Sequence, residues 1–109
     1  MEQRVISLFH ESIEACMNAG EQLPSLLVSA SQMLVNALLN EKKIICCGNG
    51  ISAAQAQVLT SCLINRFEQE RPGLPALYLG ADITTQTAIS QDYGLNEIYA
   101  KQLRSLGQE

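Results

Sequence analysis

The feature that most restricts how this chain can fold is a junction: Ile44-Ile45-Cys46-Cys47 runs straight into Gly48-Asn49-Gly50-Ile51-Ser52. Four successive apolar residues without alternation suit a strand covered on both faces, as in parallel α/β sheets. The two glycines stop it, because glycine enters positive φ freely and lets another group approach closely. From Ser52 to about Glu70 no glycine or proline intervenes, which predicts one long helix with the Ser52 hydroxyl at its N-cap. Arg71-Pro72-Gly73-Leu74-Pro75 then breaks the chain, and Ala76-Leu77-Tyr78-Leu79 reads as a second buried strand. Strand, helix and strand in that order form a βαβ unit with parallel strands and a right-handed crossover.

Helices flank this unit. Val5, Ile6, Phe9, Ile13, Cys16 and Met17 recur every three or four residues, as one helical face does, and Gly20 is the expected stop. A second helix is expected from Pro24, which suits a first turn because its missing N–H would be unpaired there, to about Leu39. That segment holds no charged residue, and its Leu, Val and Ala side chains cover more than one face. A helix of this kind is buried on several sides, either as a central core helix or at an interface between copies. In a chain of 109 residues the interface is the expected role. A short helix near Thr84–Ser90, ending at Asp92-Tyr93-Gly94, and an amphipathic one near Asn96–Leu106 complete the order α-α-β-α-β-α-α. The expectation is one α/β domain, with residues 1–41 as a helical oligomerisation region and residues 42–109 as the βαβ region carrying the turn.

Charge narrows the functional classes. Only 17% of residues are charged, with a net charge of −4 and no run of one sign. A nucleic-acid binder presents a basic face to phosphates, so direct DNA or RNA binding is not expected. Apolar stretches are interrupted by Ser, Asn or Gln well short of the ~20 residues that span a bilayer, and Met1-Glu2-Gln3-Arg4 does not open a signal peptide. Cys16, Cys46, Cys47 and Cys62 lack Cys-x-x-Cys spacing and read as buried reduced thiols, not disulfides or zinc ligands, which places the chain in the cytoplasm.

The glycine turn carries the chemistry. Free N–H groups of a first helical turn, with the helix dipole, make an anion site, and ligands of open α/β sheets sit at the carboxyl ends of the strands. A phosphorylated small molecule is the natural ligand, while a tight turn with an ordinary N-cap explains the same glycines. Neither Gly-x-Gly-x-x-Gly nor a P-loop ending in Gly-Lys-Ser/Thr is present, so no nucleotide signature is met.

Cys46-Cys47-Gly48-Asn49-Gly50-Ile51-Ser52-Ala53-Ala54-Gln55-Ala56-Gln57 resembles the first phosphate-binding segment of sugar isomerase (SIS) domains, in the phosphoheptose isomerase branch. The likeness continues through Asn65–Ala76 and Ala88–Gln102, and so covers nearly the whole chain. It is strongest to the non-catalytic members of that branch, which form homotetramers and bind the replication initiator DnaA. The resemblance implies the N-terminal part of a SIS-type parallel-sheet sandwich, with two long helices packing in an oligomer. It also implies homotetramer formation, DnaA as a protein partner, and a sugar phosphate at the turn.

In the isomerases a metal-binding His and, four residues later, a catalytic Glu share one face of the helix after the turn. The corresponding positions are Val58 and Cys62, and the single histidine, His10, lies on the first helix as an expected surface residue. Valine neither ligates nor accepts a proton, and a thiol on an apolar helix is inert unless its pKa is lowered. No cofactor or metal is therefore expected, and no catalytic residue. Gly48, Asn49, Gly50 and Ser52 match phosphate- or substrate-contacting positions, and Ile51 stands where the isomerases usually carry glycine. Asp92 matches the acidic half of an Asn-Asp pair whose first member here is Gln91. Arg66 and Glu68 either line a cleft or remain solvated, for example in a local ion pair. Family members continue past the equivalent of Leu106-Gly107 into a third strand and a Ser-rich second phosphate loop, so the expectation is about half of a SIS domain.

Overall fold

The structure, a computed structural model, describes residues 1–108. They form α1 (Glu2–Gln22), α2 (Pro24–Leu39), β1 (Ile44–Cys46), α3 (Ile51–Ile64), β2 (Ala76–Tyr78), α4 (Ile83–Tyr93), a 3-10 turn (Leu95–Glu97) and α5 (Ile98–Leu106). The α/β class and the element order agree with the sequence reading. The chain divides into two compact units, Met1–Val35 and the remainder from Asn36 onward, with the division inside α2.

The first unit is α1 and most of α2. Gly20 does not end α1: a glycine inside a helix costs only about 0.5–1 kcal/mol relative to alanine, and the helix runs on to Gln22. The break comes at Leu23, whose position before Pro24 disfavours further helix, and the axis turns there by 66°. No residue of α1 or α2 is buried. No single helix among the described residues is long and apolar enough to cross a membrane.

In the second unit, α2 closes with a Schellman arrangement: the Lys42 amide donates to the Ala37 carbonyl at 2.9 Å and the Glu41 amide to Leu38 at 3.1 Å. Glu41 takes the left-handed position (φ 57°) that glycine usually fills. β1 and β2 then pair in parallel, with Ile44 opposite Ala76 and Cys46 opposite Tyr78. The ladder extends to Ile44 N–H on Pro75 O (2.9 Å) and Leu79 N–H on Cys46 O (3.0 Å). The core is thin, with Ile44, Cys46, Leu79 and Ile89 as its buried apolar members. Cys47 lies beyond the strand end and is exposed, as is Cys16 on the unpacked face of α1; the four thiols are free, and only Cys46 is buried. The reading of all four as buried thiols is corrected accordingly.

Helix α3 stops at Ile64, six residues before the predicted end at Glu70. Asn65 leaves helical geometry, Glu68 turns to φ 57°, and the chain doubles back on the helix end. Arg71 holds it there, donating to the carbonyls of Cys62 (2.6 Å) and Leu63 (3.0 Å), while Leu74 N–H also reaches Leu63 O (2.9 Å). These are last-turn carbonyls that no helical N–H satisfies, and a cation is the favoured partner at that end. Arg66, meanwhile, lies 3.8 Å from Glu70 in an exposed ion pair. Replacing Arg71 by alanine is expected to lower stability by about 1.5–3 kcal/mol, the range for hydrogen bonds from a charged group. A fall in the urea midpoint, with faster amide exchange confined to the last turn of α3, checks this. Lysine, without the planar fork, should restore only part of the loss.

Candidate functional site

The turn after β1 is the part of the fold closest to an anion site. Gly48 is half-buried, whereas Asn49, Gly50, Ile51 and Ser52 are exposed. The N-cap of α3 is Gly50, not Ser52, and no side chain caps the helix. Gly50 takes φ 57°, ψ −126°, a conformation open essentially to glycine alone, and so starts the helix two residues earlier than a cap at Ser52 would. Ser52 consequently sits inside the first turn. Its amide bends back to Asn49 O (3.2 Å), and the Ala53 amide to Gly50 O (3.1 Å). The N–H groups of Gly50 and Ile51 find no acceptor among the described residues and remain available as donors.

Gly48 is required by space. A Cβ there would lie 2.7 Å from the Ser52 carbonyl carbon and oxygen and 2.8 Å from the Ala53 nitrogen, all backbone atoms of the helix start. Strand and helix therefore approach each other as closely as a bare backbone allows.

One side chain reaches the turn from elsewhere. Tyr99 on α5 donates its phenol hydrogen to Gly48 O at 2.5 Å. Burial, then the neighbouring Tyr78 and Cys47, push this phenol above the ordinary tyrosine value, so at neutral pH it carries its proton and donates. Because the folded-state value is the higher one, the stability it lends is complete below pH ~10 and is lost as pH rises through the raised value. Three residues on, the same face of α5 presents Gln102, whose amide donates to Leu79 O at 3.1 Å. Neither contact was legible in the sequence: Tyr99 is one polar-tipped residue on an amphipathic helix, bonded across 51 positions.

Asp92 lies exposed in the last turn of α4, and no hydrogen bond or ion pair joins it to the turn. Val58 is 63% exposed and Cys62 half-buried, one helical turn apart on α3, and His10 is exposed on α1. Among the described residues no three His, Cys, Asp or Glu side chains gather in a way that could hold a metal ion. The zinc that the isomerase resemblance implies therefore finds no donor set in these residues. A cavity of about 490 Å³ opens elsewhere, beside β2, between Leu77, Leu79, Ile89, Lys101 and Leu106, and no residue of the turn lines it. At its rim Asp82 caps α4; the Thr85 hydroxyl, then the Thr85 amide, hold its carboxyl below the usual range.

Comparison with known proteins matches residues 8–109 to the SIS domain. A phosphoheptose isomerase of Chromohalobacter salexigens is 50% identical over 107 residues, which are 98% of this chain and 54% of that protein. The DnaA initiator-associating protein DiaA of Yersinia pestis is 51% identical over 108 residues, 99% of this chain and 55% of that protein. In three dimensions the chain superposes on a phosphoheptose isomerase from Francisella tularensis with a TM-score of 0.92 and 42% identity, covering 98% of this chain and 56% of that one. The chain spans about half the length of the relatives it matches.

Proposed function

The chain belongs to the SIS-domain family, and from that premise we propose that it is a non-catalytic scaffold. In this reading it holds a sugar phosphate at the Gly48–Ser52 turn, assembles with further copies into a homotetramer in the cytoplasm, and binds a DnaA-type initiator. The observation that carries the proposal is Val58. It stands exposed on α3 where the isomerase pattern asks for a metal-binding His, with Cys62 in place of the Glu. Proton transfer between sugar carbons needs a base within reach of the carbon acid, and α3 offers none at those two positions. The turn supports retained binding, with Asn49, Gly50 and Ser52 as the contacting residues and Asp92 as the acidic group beyond it. The chain's 51% identity to a relative named for associating with the initiator supports the scaffold role. Capture on immobilised DnaA is the test: retention is expected, and passage through the column would remove the initiator from the proposal.

A second reading, phosphoheptose isomerase, is favoured by the names of other equally similar relatives and of the superposed structure. It requires conversion of sedoheptulose 7-phosphate to its aldose, with or without added zinc. The proposal expects none.

A further inference from the structure

From the contacts of α5 we infer that Tyr99 is a positioning residue for the glycine turn, with Gln102 holding the helix that carries it. The inference rests on the turn being the ligand site. Among the described residues, Tyr99 is the only side chain hydrogen-bonded to any residue of the Gly48–Ser52 segment. The turn's own restraints are weak, namely backbone contacts of 3.1 and 3.2 Å around a glycine at positive φ. No backbone hydrogen bond among the described residues outside the helices and strands reaches Gly48 O, so the Tyr99 phenol is its partner.

Tyr99 and Gln102, three residues apart, lie on one face of α5. Each donates to the carbonyl just beyond one strand: Tyr99 to Gly48 after β1, Gln102 to Leu79 after β2. Gln102 also donates back to Ile98 O in its own helix (3.0 Å) and is buried, which fixes the pitch of α5 against the sheet. α5 thus braces the carboxyl ends of both strands at once. With Gly48 O turned toward the phenol, the amides that follow are presented together and do not fluctuate between turn geometries. A pre-set donor array binds an anion more tightly because less ordering remains to be done on binding.

Tyr99→Phe keeps the ring and removes only the donor. Two readouts on the full chain separate the possibilities. Amide exchange at Ser52 and Ala53, whose hydrogen bonds close the turn, is expected to rise several-fold, with exchange in β1, β2 and α4 unchanged. Affinity for sedoheptulose 7-phosphate is expected to fall roughly three- to ten-fold, the scale of one neutral hydrogen bond. Unchanged exchange at the turn overturns the inference, and so does a rise spread over the whole second unit, which would make Tyr99 a general packing residue. If the wild-type chain takes up no sugar phosphate, the binding proposal fails, while the exchange result alone still decides the role of Tyr99. Should the variant not fold, the wild-type phenol proton decides instead: a slowly exchanging hydroxyl resonance with contacts to Gly48 is expected, and rapid exchange with water overturns it.

Discussion

Gly48→Ala is expected to cost the chain the proposed sugar-phosphate site and about 1–3 kcal/mol of stability, the usual penalty for forcing an extra carbon into a packed place. The added Cβ would fall within 2.8 Å of three backbone atoms at the start of α3, and backbone cannot move aside as a flexible side chain does. Either the helix start shifts outward or the strand end twists, and both displace the Gly50 and Ile51 amides that the proposed site uses. Affinity for sedoheptulose 7-phosphate should fall at least about ten-fold, which is 1.4 kcal/mol. The control lies in the same chain. Gly20, in the interior of α1, has open space where its Cβ would go, and the same substitution there should be neutral or stabilising by up to about 1 kcal/mol. Urea unfolding and calorimetric titration of the two variants side by side check both halves. Equal behaviour at Gly48 and Gly20 would contradict the account of the turn.

The second large effect is expected on assembly. α1 and α2 expose Phe9 (67%), Ile13 (57%), Met17 (64%), Leu27 (60%) and Met33 (71%), and α2 has no charge to compensate. Fully burying such a side chain contributes about 1.5–3 kcal/mol, and helices in proteins draw most of their stability from a packed face. The proposed tetramer supplies that face from other copies. Leu27→Asp replaces apolar area with a charge that burial penalises heavily. Its subunit dissociation constant should therefore rise by about 100-fold or more, equivalent to roughly 2.7 kcal/mol. Sedimentation equilibrium would show wild-type oligomer giving way to monomer in the variant. A wild-type chain that sediments as a monomer, or a variant that assembles unchanged, would count against the helical interface.

How far the sequence discloses this molecule depends on the range of the interactions involved. Ile44–Cys46 and Ala76–Tyr78 were legible because an unbroken apolar run between turn residues is a local signal, and the same holds for the uncharged α2 behind Pro24. The ends of elements were less legible. Gly20 reads as a stop, yet the proline four residues later is what breaks the chain. Residues 65–70 include helix formers such as Arg66, Gln69 and Glu70; α3 nonetheless ends at Ile64, because Arg71 returns to occupy the last carbonyls. Ser52 resembles a cap from its chemistry alone, but the backbone at Gly50 takes that position first. The break after β1 at Gly48-Asn49-Gly50 was legible from its glycines, while Ile51 and Ser52 belong to α3. The brace on that turn was not, since Tyr99 and Gln102 act only through a docking of α5 that no local pattern encodes.

The proposed function requires a SIS-type turn that still binds sugar phosphate without the base that isomerisation needs. Phosphorus and carbon NMR of sedoheptulose 7-phosphate mixed with the chain tests both parts in one measurement. The account predicts broadening of the phosphate signal as protein is added, with no aldose resonances however long the mixture stands. Growth of aldose signals would make the chain an isomerase despite Val58 and Cys62. A phosphate line untouched by the protein would contradict the retained site.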